Sequence, residues 1–216
     1  MLHKRIFMSL FGVIICAISV GIFKLASFGV DPFQSFMSGL SSVIPISFGT
    51  LYVIVNLLLL SFAFFTDRHY IGIATFINLF LLGYITQFTY DSLQKLFPQP
   101  SLLFRAICLI VAIIILCFGS AFYMTADLGV STYDAVALVL TNKYKIGKFQ
   151  FVRIGTDLVC VLLGCGIFFL GGGKLSGLSA LVGVGTIVTA FFMGPLITVF
   201  NEKCAMPFLS GGKNNK

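Results

Sequence analysis

Six apolar runs divide the chain, at 6–25, 48–66, 70–90, 102–124, 149–170 and 176–200. Each is close to the roughly 20 residues needed to cross a hydrocarbon core. Two of the connections carry a further apolar stretch too short to span, at 33–40 and 135–140. A helix-start signal opens each short stretch, Asp31-Pro32 in one and Ser131-Thr132 in the other. The pattern predicts six membrane-spanning helices and two short helices that re-enter the membrane or lie on it.

The same pattern is written twice. Ala26-Ser27-Phe28-Gly29-Val30 closes the first run, and Ala126-Asp127-Leu128-Gly129-Val130 closes the fourth, 100 residues later. Gly49 then matches Gly147, Gly72 and Thr75 match Gly183 and Thr186, and Gly83 matches Gly194. Two copies of one membrane-embedded unit are expected, one over 1–100 and one over 101–216. With three spans in each, the second copy enters from the opposite side, and the halves are inverted. The expected fold is therefore all-α and polytopic: about six transmembrane helices in two inverted three-helix repeats, with short re-entrant or interfacial helices.

Composition agrees with lipid as the main solvent. The 216 residues are 58% hydrophobic and 10% charged, with a mean hydropathy of +1.06, where a soluble domain carries about 25% charged residues. A net charge of +7 raises nucleic acid as a partner. The basic residues are scattered between apolar runs, however, so topology and anionic headgroups explain them better. With the N-terminus in the cytoplasm, the inside segments hold Lys4, Arg5, Arg68, Lys143, Lys145, Lys148, Lys203, Lys213 and Lys216; the outside holds Lys24, Lys95, Arg105 and Lys174. The positive-inside rule favours both termini in the cytoplasm. Lys4, Arg5 and Ala17-Ile18-Ser19 sketch a signal peptide, but the apolar run continues past them and has a counterpart in the second copy, so a retained helix is expected.

Ala126-Asp127-Leu128-Gly129-Val130-Ser131-Thr132-Tyr133-Asp134 resembles the A-x-L-G-x-x-P-x-D signature of the YczE/YyaS/YitT-type bacterial membrane proteins. Residues 26–34 are similar to the same signature, and Val182-Gly183-Val184-Gly185-Thr186 with Met193-Gly194-Pro195-Leu196 to the family's glycine-rich ending. The resemblance covers nearly the whole chain and implies a multi-pass protein of the bacterial plasma membrane; it implies a fold more than an activity. Thr132 stands where the family usually has proline, which loosens the turn in copy two. Gln34 stands where the first half often has aspartate, so copy one lacks a match for Asp134.

Few residues invite chemistry. Arg153 and Asp157 lie four apart on one helix face, about 6 and 12 Å into the fifth span at 1.5 Å per residue. Each charge costs about 2.5–3.5 kcal/mol at a helix centre. A structural ion pair, a substrate or proton site, and simple snorkelling of Arg153 all fit. Asp127 and Asp134 flank Gly129; they suit a helix cap or a cation pathway. Asp31 before Pro32 reads as a cap. Thr75 and Thr186 are helix glue by default, yet their matched positions add them to a candidate substrate or ion pathway. Gly29, Pro32 and Gly129 read as structural turn residues. Cys16, Cys108, Cys117, Cys160, Cys165 and Cys204 lack metal-ligand spacing, and Gly171-Gly172-Gly173-Lys174 fails the phosphate-loop pattern. No metal, cofactor or catalytic set is expected, and the chain does not read as an enzyme. Two readings fit: a small secondary transporter or permease, and a non-transporting accessory, assembly or sensory component. Glycine-rich helix faces admit a homodimer in either case.

Overall fold

The computed structural model describes residues 2–147 and 149–210; Lys148, Lys213 and Lys216 lie outside the described residues. All its regular elements there are helical. The long helices are α1 (Leu2–Ala26), α3 (Phe48–Thr66), α4 (Ile73–Leu96), α5 (Leu102–Thr125) and α7 (Phe149–Leu170). Between them stand the half-length helices α2 (Pro32–Ser41) and α6 (Thr132–Asn142). The sixth apolar run, expected as one helix, is broken into α8 (Leu175–Leu181) and α9 (Val184–Phe200). A π-helical turn (Asn201–Ala205) and α10 (Met206–Ser210) close the described chain. Six helical segments, the broken one included, are long and apolar enough to cross a membrane.

α1 is the central helix, packed along both α5 and α4. The α1–α5 seam is made of small residues that let the backbones approach. Gly12 lies against Gly119, Cys16 against Leu116 and Ser120, and the Ser19 hydroxyl donates 2.6 Å to the Ala112 carbonyl. Numbers rise along α1 as they fall along α5, so the two corresponding helices run antiparallel. The pairs themselves are exchanged by the 100-residue offset, Gly12–Gly119 corresponding to Ser19–Ala112. The seam's ends follow suit. Arg105 donates to the carbonyls of Ala26 (2.7 Å) and Ser27 (2.9 Å), capping the end of α1 with a cation where the helix dipole is negative. Arg5, its counterpart, sits 3.6 Å from Asp127 at the end of α5.

The two signature turns plug into the opposite halves. Ser27 and Asp127 take left-handed φ angles of 53° and 51°, and Gly29 and Gly129 of 89° and 104°, a region that L side chains resist. The first turn lies on the start of α9: Phe28 carbonyl accepts from Gly185 N–H at 2.8 Å, and Val30 N–H donates to Leu181 at 3.4 Å. The second lies on the start of α4: Leu128 carbonyl accepts from Ala74 N–H at 2.9 Å, and Val130 N–H donates to Tyr70 at 3.2 Å. These contacts explain the break at Gly183. The exposed amides at the start of α9 serve the Phe28 carbonyl, and a Cβ on Gly183 would lie 2.5 Å from that oxygen.

The half-helices start alike. Asp31 (φ −61°, ψ 157°) accepts from Gln34 N–H at 3.1 Å to cap α2, and Ser131 (φ −61°, ψ 152°) accepts from Asp134 N–H at 3.1 Å to cap α6. Thr132 therefore does not loosen its turn, contrary to expectation, because Ser131 supplies the cap that sets the same backbone angles. α2 packs on α7 and α6 on α3, which carries both N-termini to the middle of the bundle. There Phe33 and Tyr133, 100 residues apart in sequence, stack with centroids 4.8 Å apart and planes at 20°.

Candidate functional site

Arg153 on α7 is the hub of the charged residues. Its guanidinium is paired with Asp134 of α6 through Nη1 and lies 3.4 Å from Asp157 through Nε. It also covers the Tyr133 ring, 4.4 Å from the centroid, where the π face attracts a cation. The Tyr133 hydroxyl donates 2.6 Å to Asp157, and Ser131 donates 2.6 Å to the second Asp134 oxygen. Sequence spacing suggested the Arg153–Asp157 pair. The Asp134 pair is tertiary, made because α6 folds back onto α7.

Around this cluster lies a cavity of about 520 Å³ walled by both halves. Asp31, Gln34 and Asn78 face it from the first half; Asp134, Arg153 and Asp157 face it from the second. Asn56, Tyr52 and Asn78 line one side and belong to a neutral chain: Thr132, behind them, donates to Asn56, Asn56 donates 2.8 Å to the Tyr52 carbonyl, and the Tyr52 hydroxyl donates 3.3 Å to Asn78. The Phe33–Tyr133 stack forms a septum. Beyond it lies a second cavity of about 610 Å³, lined almost wholly by apolar side chains of α2, α3, α6 and α7.

The polar cavity is open on one flank. α3 packs along α4, with Gly83 against Tyr52 and Gly49 N–H donating 3.1 Å to Gln87. The corresponding helices α7 and α9 make no extended contact among the described residues. Phe149 and Ile154 of α7 and Phe191 and Pro195 of α9 stand on either side of the gap, all lining the cavity.

Of the residues singled out by sequence, the fold thus brings Asp134, Arg153 and Asp157 together and Pro32 beside them. Asp127 is elsewhere, 85% exposed at the end of α5 beside Arg5. Thr75 and Thr186 do not line the cavity. Each accepts from the N–H of the glycine three residues before it, Gly72 at 3.1 Å and Gly183 at 3.3 Å, and Thr75 donates 2.6 Å to the Val130 carbonyl of the second signature turn. Gly29 and Gly129 occupy the turns themselves. Sequence reasoning missed Gln34 and Tyr133 as site residues and read Asp31 as a cap alone. Their signal was positional, since 31–34 and 131–134 open the two half-length helices 100 residues apart. No group of three or more His, Cys, Asp or Glu side chains suited to a metal occurs among the described residues.

Among known proteins, the chain is 25% identical over 200 residues to an uncharacterised protein of Haemophilus influenzae, covering 92% of this chain and 84% of that one. It is 22% identical to the uncharacterised protein YyaS of Bacillus subtilis, covering 92% and 93%. It is 24% identical to the uncharacterised membrane protein YczE of the same organism, covering 86% and 80%. No solved structure matches it significantly. Its apolar helices and this kinship make it an integral membrane protein, and with residues 3–202 matched the chain belongs to the family of unknown function DUF6198.

Proposed function

We propose that the protein is a small secondary transporter or permease of the bacterial plasma membrane, built as two inverted repeats, with both termini in the cytoplasm. The observation that carries this reading is the polar cavity at the meeting point of two half-helix N-termini, one from each half. Transporters built from inverted repeats place their substrate sites near the bilayer midplane, at broken or half-length helices on the repeat interface. The antiparallel α1–α5 seam with its 100-residue exchange supports the inversion. The septum of Phe33 and Tyr133 between two cavities supports alternating exposure of a central site. The function is binding and movement, with no chemical conversion of the substrate.

An unbiased comparison of metabolites and uptake between cells lacking and overproducing the protein tests this reading. A solute that accumulates with one and is depleted with the other is expected, and Arg153→Ala should abolish the difference while protein remains in the membrane. Indistinguishable solute profiles, with a cellular phenotype still rescued by Arg153→Ala, would favour an accessory component instead.

A further inference from the structure

We infer that the polar cavity takes a small organic cation bearing N–H donors, an alkyl- or arylammonium; this rests on the transporter reading and names its substrate class. The charge balance comes first. Asp31, Asp134 and Asp157 face Arg153 in the same cavity, three negative groups against one positive. The N-termini of α2 and α6 contribute about half a positive charge each, so roughly one negative charge is left over. Asp134 and Asp157 share the guanidinium, whereas Asp31 makes no ion pair among the described residues. Surplus charge among membrane helices is neutralised by a proton or by a counterion, and here a single monovalent cation suffices.

Hydrogen bonding supplies the second and independent observation. The Gln34 side-chain oxygen and the Tyr123 hydroxyl are buried without a partner. Their residues are only 3% and 6% exposed, and both line this cavity. Leaving such groups unpaired is unfavourable. An amide oxygen accepts only, as does an ionised carboxylate. The Gln34 oxygen, one helical turn from Asp31, is thus an open acceptor, the Tyr123 hydroxyl can accept as well, and together they suit a donor. An anion would have to displace Asp134 or Asp157 from Arg153. A bare sodium ion would satisfy the charge, yet at about 520 Å³ the space is many times the roughly 30 Å³ of one water. Tyr52 and Tyr123 also line the cavity and add aromatic surface suited to an organic ammonium.

The test uses the full chain purified in a non-ionic detergent and titrated calorimetrically with benzylammonium, tetramethylammonium, sodium, acetate and inorganic phosphate. Saturable, one-to-one binding of benzylammonium is expected. Tetramethylammonium, which has the charge without the donors, should bind about tenfold or more weaker. Gln34→Leu should weaken benzylammonium about fivefold or more, and Gln34→Glu, which keeps the shape and adds charge, should strengthen it. The second variant decides the matter should the first fail to fold. Tighter binding of acetate or phosphate, occupation by sodium that excludes benzylammonium, or no saturable benzylammonium binding would each overturn the inference. Counterflow of labelled benzylammonium in proteoliposomes separates the two levels. Binding without exchange leaves the cation site standing and sinks the transport reading, while exchange of an anion alone does the reverse.

Discussion

Arg153 holds two carboxylates and a ring face at once, so the three partners are not equal in what their loss does. Removing the cation strands Asp134 and Asp157 together, whereas Asp157→Asn still offers Tyr133 an amide oxygen. Arg153→Ala is expected to cost about 3 kcal/mol and Asp157→Asn about 1 kcal/mol, read as thermal stability of the detergent-extracted protein. Equal losses would mean that Asp134 is not part of the cluster. A second contrast concerns left-handed glycines. Gly129 has φ 104° and its Cβ would lie 2.5 Å from Gly72 N, while Gly172 has φ 82° with nothing within 4 Å. Gly172→Ala should lose only the conformational strain, about 1–2 kcal/mol. Gly129→Ala adds a collision with backbone and should sharply lower the yield of folded protein. Similar melting temperatures for the two variants would remove the docking role of the second signature turn.

α6 is held by both α3 and α7, whereas α2 rests mainly on one crossing, with α7, that sets where its N-terminus points. For α2 that crossing is glycine on glycine: a Cβ on Gly164 would lie 2.7 Å from the Ser35 carbonyl, and Gly39 faces Gly164 in return. Gly164→Leu should push α2 off α7, separate Asp31 from Arg153 and abolish the substrate-dependent difference in uptake. Gly166→Ala, two residues on with open space around it, should instead stabilise α7 by about 0.5–1 kcal/mol through helix propensity. The spans and half-helices were legible in the sequence because length, apolarity and caps are local properties. The break at Gly183 was not, since its cause is the Phe28 carbonyl more than 150 residues away. Thr75 and Thr186 show the same limit. Their matched spacing marked them as significant, but a pattern does not distinguish a hydroxyl that caps a helix from one that lines a path. Tyr133 stood in the signature between Thr132 and Asp134 without a visible partner, and Asp157 became one only when α6 folded against α7.

At the scale of the whole molecule, Lys95 and Lys143 stand at opposite ends of α4: Lys95 in its last turn, Lys143 donating to the Thr66 carbonyl just before its start. On a background without native cysteines, an impermeant thiol reagent added outside cells should label cysteine at position 95 and spare position 143. Labelling at both would contradict a bundle with these residues on opposite faces, and the reverse pattern would turn the protein over in the membrane. The exchange of signature turns between the halves also has a consequence in time. The socket for the Leu128-Gly129 turn, at Gly72 and Ala74, is already synthesised when that turn leaves the ribosome. The socket for Phe28-Gly29, at Gly183 and Gly185, follows its plug by about 150 residues, or about 8–30 s of synthesis at 5–20 residues per second. The two turns, alike in their contacts, are therefore docked at different times. The Phe28 carbonyl spends those seconds unanswered, until the first turn of α9 supplies the Gly185 N–H.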